Sequence, residues 1–195
     1  MKSIENLGNI LEIVDGVVAD ISDSRKESRQ EWQTPDPLYN LLDGEFGFHV
    51  DVAADTFNSK AEFHLNEERD ALRVPWFRIE EEFWGHMATA FCNPPYKNPL
   101  QWIERAHDQT RLPGTTAVLL LNHDPSTKWY ARAIETASEI RILTKKRVQF
   151  LAPDGIKASS NSKPQCVIVF RRKLDSAPCH VWHWDWTADL WGGDK

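Results

Sequence analysis

Apolar and polar positions along this chain change period several times, and each change marks an element. Between residues 4 and 21, Ile4, Leu7, Leu11, Val14, Val18 and Ile21 recur at alternating spacings of three and four, the seam of an amphipathic helix. Gly8 and Gly16 each weaken such a helix by about 1 kcal/mol relative to alanine, so it needs a partner surface. That surface is either its own domain or the same helix of a second copy, which leaves the chain a monomer or a homodimer through this helix. Ser22 to Gln30 is polar, mixed in charge and without periodicity, as a linker is. Glu31-Trp32-Gln33-Thr34-Pro35-Asp36 then opens a short helix, with Thr34 or Asp36 as its N-cap and Leu38, Leu41 and Leu42 on its buried side.

From there strand and helix patterns alternate. Phe46 to Ala54 is an apolar run ending in an acid and two small residues, and it predicts the first strand and its turn. Glu80-Glu81-Glu82 reads as solvated charge in a loop. A second apolar run, Met87 to Cys92, leads into Asn93-Pro94-Pro95-Tyr96, and Leu100, Trp102, Ile103 and Ala106 then mark a helix from Pro99 to Gln109, ended by Pro113-Gly114. Thr115 to Leu121 is continuously apolar, as in a central strand covered on both faces. The next helix is expected over Ser126–Thr136 with Asp124 as its N-cap, followed by strands at 140–143, 148–151 and 165–170. Ala152 to Pro164 is a polar loop. In the tail, Cys179 to Trp191, His180, Trp182, Trp184 and Trp186 share one side of an extended strand, which is expected to join the sheet or cover its end. The alternation predicts one α/β domain over 31–175, preceded by the helix and linker of 1–30 and followed by a tryptophan-rich tail, 176–195, that packs on it.

Bulk properties narrow the function classes. With 195 residues, 41% hydrophobic and 27% charged, the chain is ordinary for a soluble globular protein. It holds no run of about 18 apolar residues and no secretory leader pattern, so no membrane partner and a cytoplasmic location are expected. Cys92, Cys166 and Cys179 lack any paired spacing, so free thiols are expected and no metal site. A net charge of −6 argues mildly against a protein coated for nucleic acid. Any DNA contact must use local basic clusters, of which the chain has two, Lys145-Lys146-Arg147 and Arg171-Arg172-Lys173.

The chemistry concentrates in Asn93-Pro94-Pro95-Tyr96, on a loop that leaves a strand at the end where open α/β sheets bind ligands. An exocyclic amine on a nucleobase is a poor nucleophile, because its lone pair is delocalised into the ring. Two acceptors can draw that pair out of the plane, the Asn93 side-chain oxygen and the Pro94 carbonyl, while the prolines restrict φ and bias the preceding residues to extended geometry. Tyr96 offers a π-face to a base taken out of its stack. The four residues resemble the (Asp/Asn/Ser)-Pro-Pro-(Tyr/Phe) motif of the amino methyltransferases, which methylate adenine N6, cytosine N4 or a glutamine amide with S-adenosylmethionine.

Over about residues 31 to 172 the chain further resembles the phage and prophage DNA N-6-adenine methyltransferase (Dam) family. The resemblance implies a Rossmann-like class I methyltransferase fold, a mixed, mostly parallel sheet with helices on both faces, S-adenosylmethionine as cofactor and double-stranded DNA as partner. It implies that Thr34 and Pro35, in a Trp-x-Thr-Pro segment, touch the methionine part of the cofactor. It also implies that Asp51, in an Asp-x-Ala-Ala pattern with Ala53 and Ala54 and followed by Asn58 and Lys60, lies near the methionine amine or the ribose. Asp70, in Asp70-Ala71-Leu72 before Trp76, would accept from the cofactor's adenine amine. The other reading of Asp51 is a strand-end acid capping a turn, and of Asp70 a surface acid. No glycine-rich loop follows Asp51, which departs from the usual form of such folds. The loop 152–164 and the basic triplets, with Lys157 and Lys163, are the candidates for DNA contact, alongside Lys145, Lys146 and Arg147. Two other functions share these features, a protein glutamine-amide methyltransferase and a catalytically silent DNA-binding protein.

Overall fold

A computed structural model of the protein describes residues 32–55, 58–79, 82–83, 87–151, 163–174 and 177–191. The amphipathic segment 4–21, the linker 22–30 and Lys157 lie outside the described residues. Helix α1 (Asp36–Phe46) starts after Pro35, whose extended backbone serves as N-cap and whose carbonyl accepts from the Leu38 and Tyr39 amides, both at 3.1 Å. Neither Thr34 nor Asp36 caps it with a side chain, contrary to expectation. The Asp36 carboxylate instead takes Lys60 Nζ at 2.6 Å. Leu38, Tyr39 and Leu42 are buried, and Leu41 is half-buried.

The helix runs further than its apolar pattern suggests, and it absorbs Phe46. Gly47, at φ 60°, then ends it in the left-handed conformation that glycine adopts without strain, its amide bonded to Asp43 O at 2.7 Å. Strand β1 is accordingly only Val50–Asp51 rather than the whole run from Phe46. It is followed by β2 (Phe63–His64) and by an antiparallel pair, β3 (Arg78–Ile79) and β4 (Glu82–Phe83), so Glu82 lies in a strand rather than a loop. Then come β5 (Thr89–Cys92), α2 (Pro99–Gln109), β6 (Thr116–Asn122), α3 (Lys128–Thr136), β7 (Glu139–Leu143), β8 (Gln165–Arg171) and β9 (His180–Trp184).

Among the described residues seven strands form one open sheet, in the order β2-β1-β5-β6-β8-β7-β9. Only β8 runs against its neighbours; every other pairing is parallel. Strand β6 shows how the sheet makes two cores. Its residues are buried from Thr116 to Leu121, and successive side chains point to opposite faces. Ala117, Leu119 and Leu121 pack with Ile103 and Ala106 of α2 and Ala133 of α3. Val118 and Leu120 pack on the other face with Leu38 and Leu42 of α1, Phe150 and Trp184. The protein is therefore a mixed, mostly parallel α/β fold with helices on both faces, consistent with the Rossmann-like methyltransferase architecture.

Two boundaries differ from the pattern. Helix α3 begins at Lys128 behind Thr127, whose hydroxyl accepts from the Tyr130 amide at 3.4 Å, while Asp124 accepts from Ser126 Oγ at 2.7 Å. The stretch 148–151 is not a ladder strand. Val148 and Phe150 are buried, as their alternation requires, but both sides of β7 are already taken by β8 and β9. What remains is a single antiparallel bridge, Leu151 to Gln33. The tryptophan-rich tail does add a strand, with Trp184 and Trp186 buried and Trp182 half-buried against the α1 face. Cys92 and Cys166 are free, buried thiols, and burial raises the pKa of both. Among the described residues no helix is long and apolar enough to cross a membrane.

Candidate active site

The chain leaves β1 towards β2 on one side, and β5 then pairs with the other side of β1. An open α/β sheet has its ligand crevice at such a reversal, beyond the carboxyl ends of the strands. Asp51 ends β1 and Asn93 follows β5, and the register that pairs Asp51 with Phe91 brings the two strand ends side by side. Both residues line a cleft there, together with Trp32, Thr34, Ala53 and Lys60.

Asp51 is 3% exposed. Its two carboxylate oxygens accept from the Ala53 amide at 3.3 Å and the Lys60 amide at 3.2 Å. Burial pushes its carboxyl up to about 6, against the pull of those two amides and the Lys60 charge. Thr34 is 2% exposed, and its hydroxyl oxygen is buried without a hydrogen-bond partner. Native interiors rarely leave such an atom unpaired, so this hydroxyl is one that a polar group in the cleft can satisfy. Asn58, which also lines it, exchanges hydrogen bonds with Asp55, amide to side-chain oxygen in both directions, at 2.7 and 3.0 Å.

Asn93 is fixed from one side by main chain. Its Nδ2 donates to the Trp32 carbonyl at 3.0 Å, which determines which way the amide faces. Its Oδ1 accepts from the Tyr96 hydroxyl at 3.3 Å and keeps a second lone pair. Burial raises the pKa of the Tyr96 phenol, so it stays protonated and remains a donor. Pro94 is buried and Pro95 half-buried.

Thr34, Asp51, Ala53 and Asn93 thus share one cleft, with Tyr96 bonded to its border. Pro35 and Ala54 do not line it; the first spends its carbonyl on α1 and the second is buried behind the turn. Asp70 is also outside the lining. It sits in a turn at φ 43°, where its carboxylate accepts from the Leu72 amide at 3.2 Å and pairs with Arg73 at 3.1 Å. Lys145, Lys146 and Arg147 are exposed just beyond β7, and Lys163 is exposed just before the antiparallel β8, so all four lie at the end of the sheet that carries the cleft. His123 and Asp124, beyond β6, lie at that end too. His123 packs edge-on to Tyr130, and burial lowers its pKa.

Two partners were not evident in the residue pattern. Trp32 acts through its carbonyl, which leaves no trace in a side-chain pattern. Gln165 is 1% exposed, with Oε1 3.5 Å from the Tyr96 hydroxyl and Nε2 donating to Asn122 Oδ1 at 2.6 Å. Its signal was a polar residue opening an otherwise apolar strand, opposite another, Asn122, that closes one.

The family model for DNA N-6-adenine-methyltransferase (Dam) matches residues 21–181. A DNA N-6-adenine-methyltransferase of Haemophilus phage HP1 is 31% identical over 155 residues, covering 78% of this chain and 84% of that protein. One of Escherichia phage T1 is 25% identical over 171 residues, covering 80% of this chain and 68% of its own length. A mostly parallel sheet with its cleft at the strand reversal, Asn93 beside Asp51, and a match over most of its length together show that the chain belongs to the DNA N-6-adenine-methyltransferase (Dam) family.

Proposed function

We propose that the protein transfers a methyl group from S-adenosylmethionine to N6 of adenine in double-stranded DNA, in the cytoplasm of a phage-infected or prophage-bearing host. The observation that carries the assignment of residues is the Asn93 amide, locked by the Trp32 carbonyl at the mouth of a cleft floored by a buried carboxylate. The polar groups lining that cleft match the methionine end of the cofactor. Asp51 accepts one amide on each oxygen and has lone pairs left for an ammonium group, and the unpartnered Thr34 hydroxyl can bond the carboxylate beside it. The cofactor, when bound, supplies a methyl group activated by its positive sulfur.

The chain's own residues do the rest. Asn93 Oδ1 and the Pro94 carbonyl accept the two hydrogens of N6, which turns the amine lone pair out of conjugation and towards the methyl group. The Tyr96 ring stacks on the extruded base, and its bond to Asn93 keeps ring and acceptor in one geometry. A cofactor held by Asp51 and Thr34 would present its methyl group in line with that lone pair, and the proton shed by N6 would pass to solvent without a dedicated base. Catalysis is positioning and exclusion of water.

Labelled methyl transfer to unmethylated DNA, with the product nucleosides separated, should yield N6-methyladenine. Asn93→Ala should lower the rate by at least about 100-fold, the loss of roughly 3 kcal/mol of transition-state contact, with cofactor affinity within about twofold of wild type. A variant that still methylates would overturn the role of Asn93, and label in protein rather than DNA would overturn the substrate.

A further inference from the structure

Strand direction sorts the basic residues of this chain into two groups. Because β8 runs against its neighbours, it begins at the cleft end of the sheet and delivers Arg171, Arg172 and Lys173 to the opposite end. Helices α2 and α3 run back from the cleft end, so Arg111 and Thr136 arrive there too. These chain ends enclose a groove whose lining includes Arg111, Arg132, Arg171, Arg172 and Lys173, with Glu135 as its one acid.

The five cations are not equally available. Arg132 is matched by Glu104 at 2.8 Å and Glu135 at 3.1 Å. Lys173 Nζ donates to the Ala137 carbonyl at 2.9 Å, and Arg171 lies over the Phe46 ring at 5.3 Å. Arg111 and Arg172 are exposed, and no carboxylate among the described residues pairs with either. Such a concentration of positive charge, on a chain of net charge −6, attracts a polyanion to this face. The lining has no tryptophan, tyrosine or phenylalanine on which an unpaired base would stack, so the groove suits phosphates rather than bases.

We propose that this groove binds the phosphate backbone of a stretch of DNA other than the one whose adenine enters the cleft. The seven residues of β8 set it about 20 Å from the cleft end, at the opposite end of the strands from a duplex docked there. The groove therefore takes either a second duplex or a distant segment of a long one. The proposal rests on DNA being the substrate.

The test is a bridging assay without cofactor. One duplex is immobilised, the protein is added, and a second, fluorescent duplex is offered at about 50 mM salt, where phosphate contacts are strong. The wild-type protein retains the fluorescent duplex. R111Q/R172Q should retain about tenfold less, since two phosphate contacts are lost, yet methylate a short duplex at the wild-type rate. R111K/R172K, which keeps both charges, should bridge as the wild type does. Unchanged retention by R111Q/R172Q, or none by the wild type, overturns the groove. If DNA is not the substrate, methyl transfer fails in all three proteins, whereas the bridging result stands by itself.

Discussion

Thr34 and Asp51 are two buried polar residues of the proposed cofactor cleft, and each makes a prediction in which stability and binding move oppositely. An unpaired buried hydroxyl costs about 1–3 kcal/mol, so Thr34→Val, of nearly the same shape, should raise the unfolding free energy of the protein alone by about 1 kcal/mol. The same change should weaken cofactor binding several-fold. Denaturation and calorimetry on one preparation check both. For Asp51, whose carboxyl burial lifts to about 6 from the ordinary 3.8, the folded protein between those values holds a proton that the unfolded chain has released. Stability from this group is therefore complete below about pH 4 and falls as pH rises to about 6, by roughly 3 kcal/mol. Asp51→Asn cannot ionise, so its stability relative to wild type should climb by that amount across the interval and then level off in urea titrations. An ammonium group against Asp51 needs the ionised form, so cofactor affinity should decline below about pH 6. At this scale the sequence was informative where chemistry needs a particular side chain. Asn93, Tyr96 and Asp51 stood out, whereas the Trp32 carbonyl, common to every residue, did not.

Among the elements, the edge strand β9 is held by a device that hydrophobic patterning does not reveal. Arg141, 5% exposed, makes a bidentate pair with Glu45 of α1 at 2.5 and 2.6 Å and reaches Glu139 at 2.8 Å. Its guanidinium also lies over the rings of Phe46, Trp182 and Trp184, each 5.2 to 5.5 Å away. One cation thus ties α1, β7 and β9 together. Arg141→Ala should cost about 3 kcal/mol, mostly by leaving the half-buried Glu139 without its partner, and chemical denaturation would measure it. The apolar periods placed α2 and β6 to within a residue, because both elements are buried by patterns that match their own geometry. They misplaced the end of α1, where Gly47 rather than hydrophobicity decides, and they made a strand of 148–151, where burial alternates but no hydrogen-bonding neighbour is vacant.

For the molecule as a whole, the sign of the net charge sets how DNA is approached. At −6 the protein repels a duplex at long range, and attraction is confined to the clusters around its strand ends. Replacing Lys145, Lys146 and Arg147 by glutamine should reduce the slope of log affinity against log salt by up to about three units, read by fluorescence anisotropy at several salt concentrations. An unchanged slope would place the duplex elsewhere on the surface. That both basic triplets flank strands was visible in the chain; that they face opposite ways was not, because it depends on the one reversed strand, and strand direction leaves no mark in composition.

The bond from Asn93 to the carbonyl of residue 32 has a consequence for inheritance. Any amino acid at position 32 supplies that carbonyl, so a library of single substitutions would score the position by its ring alone, which packs near Phe150, 6.4 Å away, and lines the cleft. The anchor of the Asn93 amide is thereby sheltered from point mutation. A lineage can drift at position 32 while the geometry it enforces passes down unchanged.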